Sequence, residues 1–358
     1  MSSRILITGG CGFVGRHLVK CLALSGAEEL WIVDDLSTGK HPVDWEVPVL
    51  KTRRPLDGRI DQYSVAGTDC LIKFIKSDFV AVAQAELGII PSLGLPKMPH
   101  FDQVYHLASV VGGRNVIDND PLAVGIDLSI DAVFFLWAAK VARPDRILYA
   151  SSSAAYPINL QSKDRNVKLK EEFIRFDGEL GLPDYTYGWS KLTGEYLSQI
   201  AVKKYGLSVG IVRPFSGYGE DQDLSYPFPA IALRVAARKA PVIVWGSGYQ
   251  SRDFVHIDDA CEASIRVCRS VSDGRAFNIG TGIPVSFRDL AKRMIEIEGY
   301  SAEVEGTEGK PVGVASRYCD PTLINEAIGW APTISLDEGI RLALAYAKGR
   351  LARGVEPN

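Results

Sequence analysis

"RILITGGCGFVGRHLVKCLALSGAEELWIVDD", residues 4–35, decides the fold. An apolar run stops at Gly9, as a strand buried on both faces does. Phe13, Leu18 and Leu22 then recur at helical spacing until Gly26 ends the pattern. "ELWIVDD" (29–35) reads as a second buried strand. Strand, glycine-rich turn, helix and strand together make one βαβ unit.

The alternation continues with "FDQVYHLAS" (101–109), a helix near 127–142, "RILYASSS" (146–153), a helix over 185–205 and "SVGIVRPF" (208–215). The pattern predicts an α/β fold with a doubly wound, Rossmann-type parallel sheet over residues 1–213. After Arg213 the chain turns rich in Gly, Pro and aromatics in "RPFSGYGEDQDLSYPFP" (213–229), a loop over a site. Short strands in "PVIVWG" and "AFNIG" and helices at 229–239, 286–298 and 336–348 then predict a smaller mixed α/β substrate lobe. That lobe is expected to hold 214–251 and 277–358, with 252–276 returning to the first domain. The 40–75 segment is long for a connection and reads as an insertion over the cofactor or a subunit contact.

A net charge of −3 gives no basic footprint for nucleic acid or a membrane surface. Six scattered cysteines (11, 21, 70, 261, 268, 319) form no CxxC and no zinc spacing, so reduced thiols and no metal are expected. The chain enters its first strand almost at once, without a signal peptide, and no apolar run looks long enough to span a bilayer. These features point to the cytoplasm, with neither nucleic acid nor membrane as partner.

Gly9, Gly12 and Gly15 stand in GxxGxxG spacing between strand and helix. Absent side chains let backbone N–H groups approach a pyrophosphate at the positive end of the helix. Gly9, Gly12, Phe13, Val14 and Gly15 are therefore expected against a dinucleotide, with Cys11 as a small filler. Asp34 ends the second strand, where an acid hydrogen-bonds ribose hydroxyls and repels a 2′-phosphate. That favours NAD over NADP; a turn cap, or a role shared with Asp35, is the plainer alternative. Asp78, Phe79, Leu107, Ala108 and Ser109 lie where the carboxyl edge of the sheet would meet adenine and ribose.

In "DYTYGWSK" (184–191) Tyr187 and Lys191 are four apart and share a helix face. A free tyrosine has a pKa of about 10, and bringing it near 7 takes roughly 4 kcal/mol. An ammonium neighbour favours the phenolate, which then accepts a hydroxyl proton as hydride leaves carbon. Tyr185 is off register and reads as packing. Taken alone, the pair also fits an exposed surface helix.

"TGGCGFVG", the acid after the second strand, "HLAS", "SSSAAYP", the YxxxK of 187–191 and "SRDFVHIDDA" occur in this order. The set resembles the extended short-chain dehydrogenase/reductase family, in its NAD-dependent nucleotide-sugar epimerase/dehydratase branch, over nearly the whole chain. The resemblance implies Ser152, Tyr187 and Lys191 as the catalytic set, with Tyr187 and Lys191 also against NAD. It implies Ser153 and Ser216 at the substrate, and Arg252 and Arg317 at its diphosphate. Ser216 stands where the family's RxFNxYG carries asparagine.

Ala154 stands where related 4,6-dehydratases carry glutamate and 3,5-epimerase or fucose-synthase-like members carry cysteine. "VVGGRNV" (110–116) resembles the GDP-sugar group, and "VDDLSTG" (33–39) the 4-epimerases. The expectation is an NAD-dependent nucleotide-sugar epimerase acting at C4, through a 4-keto sugar re-reduced by bound NADH. The alternatives are a nucleotide-sugar dehydrogenase or decarboxylase, a 3,5-epimerase-like enzyme, and a catalytically silent NAD-binding sensor. In the family, helices like 127–142 and 185–202 pair into a homodimer's four-helix bundle; Phe134, Phe135, Leu136 and Trp137 fit that, and core burial explains Phe134 and Trp137 equally.

Overall fold

The computed structural model describes residues 3–53, 60–95, 97–110, 114–164, 166–307, 309 and 313–357. β1 (Arg4–Thr8) turns at Gly9 into α1 (Phe13–Leu24), and β2 (Glu29–Asp34) returns parallel to β1. β3 (Leu50–Arg53), β4 (Asp61–Val65) and β5 (Leu71–Lys76) precede α2 (Phe79–Glu86) and β6 (Gln103–His106). α3 (Arg114–Asn119), α4 (Pro121–Val124) and α5 (Asp127–Trp137) follow, and α5 runs on through a π-helical turn at Ala138–Ala142. β7 (Arg146–Ala150), the long α6 (Tyr185–Tyr205) and β8 (Val209–Pro214) come next.

The remaining chain gives β9 (Ser216–Tyr218), α7 (Pro227–Ala236), β10 (Val242–Trp245), β11 (Ser251–His256), α8 (Ile257–Ser270) and β12 (Asp273–Ile279). Then come β13 (Pro284–Ser286), α9 (Phe287–Glu298), β14 (Val304–Thr307), β15 (Ser316–Arg317), α10 (Thr322–Ile328) and α11 (Leu336–Ala352).

The central sheet runs β12-β8-β7-β6-β1-β2-β5-β4-β3. It is parallel from β12 to β5 and ends in an antiparallel edge. Successive strands depart in opposite directions from β1, between β2 and β6. Such a switch point opens a crevice at the carboxyl ends of the strands. This is the doubly wound fold that the sequence pattern predicts.

Two parts of the sheet were not legible. The apolar run of β5 is broken by Lys73, whose charge is answered beside the strand: Nζ lies 3.0 Å from Glu29 and over the Trp31 ring. The 40–75 segment, in its described part, builds the antiparallel sheet edge β3–β4 onto β5; residues 54–59 lie outside the described residues. Past the central sheet, β11 pairs with β9, β13 and β15, and β10 with β14. α8 packs against α1, and β12 extends the central sheet through Ile279, so the strand crosses the expected boundary at 276. Ile324 and Trp330 join the same core as Ile5 and Ile32.

The helical run Pro121–Ala142 is long and apolar enough, by length and composition alone, to cross a membrane, which the sequence reading did not anticipate. Its apolarity has a core explanation. Phe134, Phe135, Trp137 and Ala138 are buried against Phe79 and Tyr149. Asp127 and Asp131 within it are buried and hydrogen-bonded.

Asp258 joins α8 to α1, accepting from Lys20 Nζ at 2.9 Å with His17 Nδ1 at 3.5 Å. Burial would raise its pKa, but His17 and Lys20 outweigh burial and hold the carboxyl well below the usual range. A depressed carboxyl stabilises the fold above the unfolded value of about 3.9, and that contribution is lost as pH falls toward the folded value. Asp258→Asn should therefore lower Tm at pH 7, and thermal melts should show the gap to wild type closing below about pH 4.

Candidate active site

The carboxyl ends of β1, β2, β6 and β7 gather the sequence motifs at the switch point. Gly9 has φ +69°, and a Cβ there would meet the Ala108 backbone at 2.7 Å. Only glycine lets the turn after β1 lie against the chain leaving β6. Gly15 is equally confined, by Gly10 at 2.6 Å. Gly12 differs: an added Cβ would meet only Gly9 O, at 3.4 Å. Gly12 also caps α1 without any side-chain acceptor. Packing thus accounts for Gly9 and Gly15, whereas Gly12 leaves an open approach to the helix N-terminus. Phe13 sets its ring edge-on to His17, and Val14 is exposed.

Asp34 accepts the N–H groups of Cys11 and Leu36, each at 2.8 Å. Burial pushes its carboxyl upward and those two donors oppose the rise. Asp34 is therefore both a turn cap and an acid at the end of β2, while Asp35 caps Ser37. Cys11 is fully buried, and burial followed by Asp34 pushes its thiol far up, which suits a filler. Asp78 caps α2 through Val80 N–H. The Phe79 ring packs on Phe134 and Trp137 in the core, so only its backbone can face a ligand. Leu107 packs against the core, and Ser109 donates to Asp127.

The turn after β7 meets the start of α6. Ser152 caps a 3-10 turn at Ser153–Ala155, its Oγ accepting Ala154 N–H at 3.1 Å. Asp184 N–H donates to Ala154 O at 3.0 Å, and a Cβ at Gly188 would meet that same oxygen at 2.4 Å. Two backbone segments in direct contact thus bring the Ser152 turn to the Tyr187 turn. Lys191 follows one helical turn on, its Nζ 5.8 Å from the Tyr187 ring centroid and 5.7 Å from that of Tyr149. Burial would lower the Lys191 pKa, but Asp131, Asp127 and Tyr187 together hold it above its ordinary value. Tyr185 opens α6 at φ +50° and is 55% exposed, so it is not the packing residue expected.

Glu195, four residues past Lys191, was missed by the sequence reading. It pairs with Arg213 at 2.6 Å and accepts the hydroxyl of Ser151. Arg213 also donates to Tyr156 Oη at 2.9 Å, and Tyr156 donates to Asn278 at 2.8 Å. Residues on both sides of Ser152 are therefore anchored by buried polar groups. The spacing Tyr187, Lys191, Glu195 on one helix face was the available signal.

The substrate-side residues divide. Arg252 and Arg317 are register partners on β11 and β15. Arg317 donates to Gln161, and pairs with Asp184 at 2.8 Å. Arg252 donates to Ser251 O and Val314 O. Ser216 opposes Phe254 across β9 and β11. Of "VVGGRNV", residues 111–113 lie outside the described residues.

A glycine turn at the switch point of a doubly wound parallel sheet defines a dinucleotide-binding protein of Rossmann type. More narrowly, the chain belongs to the NAD dependent epimerase/dehydratase family, whose model matches residues 5–280. NAD is thus the cofactor, in agreement with the acid at Asp34. GDP-mannose 3,5-epimerase 1 of Oryza sativa subsp. indica is 30% identical over 98% of this chain and 83% of its own length. UDP-glucose 4-epimerase of Mycolicibacterium smegmatis is 25% identical over 97% and 99%. Among solved structures, UDP-glucose 4-epimerase of Thermotoga maritima with UDP-glucose has a TM-score of 0.76 at 22% identity, covering 97% of this chain and 99% of its own. The Thermus thermophilus UDP-glucose 4-epimerase complex with NAD has a TM-score of 0.74 at 23% identity, covering 97% and 99%. These two likenesses establish the fold.

Gly188→Ala places a methyl against Ala154 O and Pro183. The helix-propensity gain of about 1 kcal/mol is smaller than an overpacking cost of roughly 1–3 kcal/mol. Urea unfolding should show net destabilisation, and turnover should fall because the Ser152 and Tyr187 turns are pushed apart.

Proposed function

We propose that the protein is a nucleotide-sugar epimerase acting at C4, with Tyr187 as acid/base, Ser152 as its hydroxyl partner and Lys191 as the charge that favours phenolate. The observation that carries this reading is the direct contact of the Ala154 and Asp184–Gly188 backbones, which brings the Ser152 turn to the Tyr187 turn. The residues fit NAD: Gly12 and the uncapped start of α1 suit a pyrophosphate, and Asp34 suits ribose hydroxyls. NAD held there would supply the hydride acceptor, and in its reduced form the donor, for the sugar carbon. Tyr187 takes the sugar hydroxyl proton and gives it back. Ser152 holds the same oxygen, and Lys191 makes the proton transfer feasible near neutral pH. Arg252 and Arg317 would hold the diphosphate, Arg317 exchanging Asp184 for phosphate oxygens. Ser153 and Ser216 flank the sugar in this scheme.

The C4 assignment rests on Ala154. It is buried and carries no group that moves a proton, so the site lacks the acid or thiol expected for enolising C3 or C5. The second reading, 3,5-epimerisation, is favoured by the 30% identity to the plant enzyme. Incubating the protein with UDP-, GDP-, CDP- and dTDP-sugars in D2O and reading products by NMR separates the two. A C4 epimer without solvent deuterium is expected; deuterium at C3 or C5 would overturn the assignment. Tyr187→Phe should abolish turnover while leaving NAD binding near wild type, whereas full activity in that variant would remove Tyr187 as the base. Stoichiometric NADH release would instead indicate a dehydrogenase.

The outer faces of α5 and α6 expose Leu128, Leu136, Trp189 and Tyr196. A second copy pairing these helices would cover them, while Phe134 and Trp137 belong to the core. Trp189→Glu should shift a dimer to monomer in analytical ultracentrifugation. The six free cysteines fit a reducing cytoplasm.

A further inference from the structure

We propose that Asp131, supported by Asp127 one turn earlier on α5, is the counter-charge that keeps the sealed Lys191 ammonium ionised, and so acts as a positioning residue for the base. The inference rests on the assignment of Tyr187 and Lys191 above. Lys191 is only 4% exposed. An isolated ammonium so far out of water costs several kcal/mol unless opposite charge is near. Among the described residues no carboxylate lies within 4.0 Å of it, so the compensating charge acts from further away.

Tyr149 touches both groups. Lys191 Nζ lies over one side of its ring, and its hydroxyl donates to Asp131 Oδ2 at 2.5 Å. Asp131 Oδ1 lies 3.1 Å from His106 Nε2, and His106 Nδ1 lies 2.7 Å from Thr8 Oγ1. Thr8 Oγ1 in turn accepts Ala108 N–H at 3.3 Å. These contacts assign the protons. Burial lowers the His106 pKa, so the ring is neutral and carries one N–H. With the Thr8 hydroxyl donating to Nδ1, that proton sits on Nε2 and points at Asp131. Asp131 then receives two donors, the Tyr149 hydroxyl and His106 Nε2–H.

Asp127 is acceptor for Ser109 Oγ and Val110 N–H, each at 2.5 Å. Burial pushes its pKa up, against Lys191 and those two donors. The charged and titratable groups around Lys191 are thus Asp127 and Asp131 from α5, His106 from β6, Tyr149 from β7 and Tyr187 on α6. Gly194 is part of the arrangement, because a Cβ there would meet Tyr149 Oη at 1.9 Å and Asp131 Oδ2 at 2.5 Å. The network also ends at Ala108 and Ser109, beside the glycine turn. One set of hydrogen bonds therefore places the dinucleotide loop and the charge behind the base.

The test reads Lys191 directly, without turnover. Full-length NAD-bound protein, labelled at lysine 13Cε and 15Nζ, is titrated by NMR, and the Lys191 signal is identified by its loss in Lys191→Met. In Asp131→Asn the Lys191 midpoint should fall by about one to three pH units. In Asp127→Asn it should fall less, which keeps the test open if the first variant does not fold. Tyr149→Phe removes a hydrogen bond to Asp131 but keeps its charge, so it should lower Tm while leaving the midpoint in place. An unmoved midpoint in a folded Asp131 or Asp127 variant would overturn the proposal and leave a purely structural network. Activity in Tyr187→Phe tests the base assignment separately, so the two failures are distinguishable.

Discussion

No side chain fits between Gly9 and the backbone of Ala108, and the geometry of the site depends on that contact. It joins the turn after β1 to the chain leaving β6, the two strands between which the sheet reverses direction. A larger residue at Gly9 would have to adopt a left-handed backbone and also displace β6. Thr8 and His106 are register partners across β1 and β6, and Thr8 Oγ1 lies 2.7 Å from His106 Nδ1 while the imidazole stacks on Phe134.

The second constraint is electrostatic. α6 brings Lys191 and Glu195 to the interior on one face, with opposite charges answered by different partners. Glu195 is neutralised at contact by Arg213. Lys191 has no such contact among the described residues; its Nζ lies over the Tyr149 ring, whose hydroxyl donates to Asp131 of α5. This difference has a chemical meaning. The Glu195–Arg213 ion pair, with Glu195 accepting from Ser151, anchors the chain beside Ser152, whereas the Lys191 ammonium is left without a contact ion pair among the described residues.

Much of this was legible in the chain. The βαβ opening, the acid at Asp34 and the Tyr187–Lys191 spacing each follow from local periodicity or from residue types at fixed intervals. What failed locally did so for identifiable reasons. β5 was missed because Lys73 interrupts an apolar run and hides its charge against Glu29. Tyr185 was taken for a packing residue, yet the turn that starts α6 swings it outward. Asp127 and Asp131 sit in so apolar a helix that only their burial partners explain them. The partner of Arg317, Asp184, comes from a segment over a hundred residues away, which no local pattern reports.

By itself the sequence determined the winding of the sheet, the glycine turn and the placing of Tyr187 and Lys191 one helical turn apart. Hydrophobic periodicity and steric permissiveness are properties of neighbouring residues, so they survive without coordinates. Tertiary structure decided which glycines are needed for packing and which leave room for a ligand. It also decided which carboxylates compensate a buried ammonium. Both questions concern atoms brought together from distant strands, and Coulomb and contact energies follow distance in space, not position along the chain.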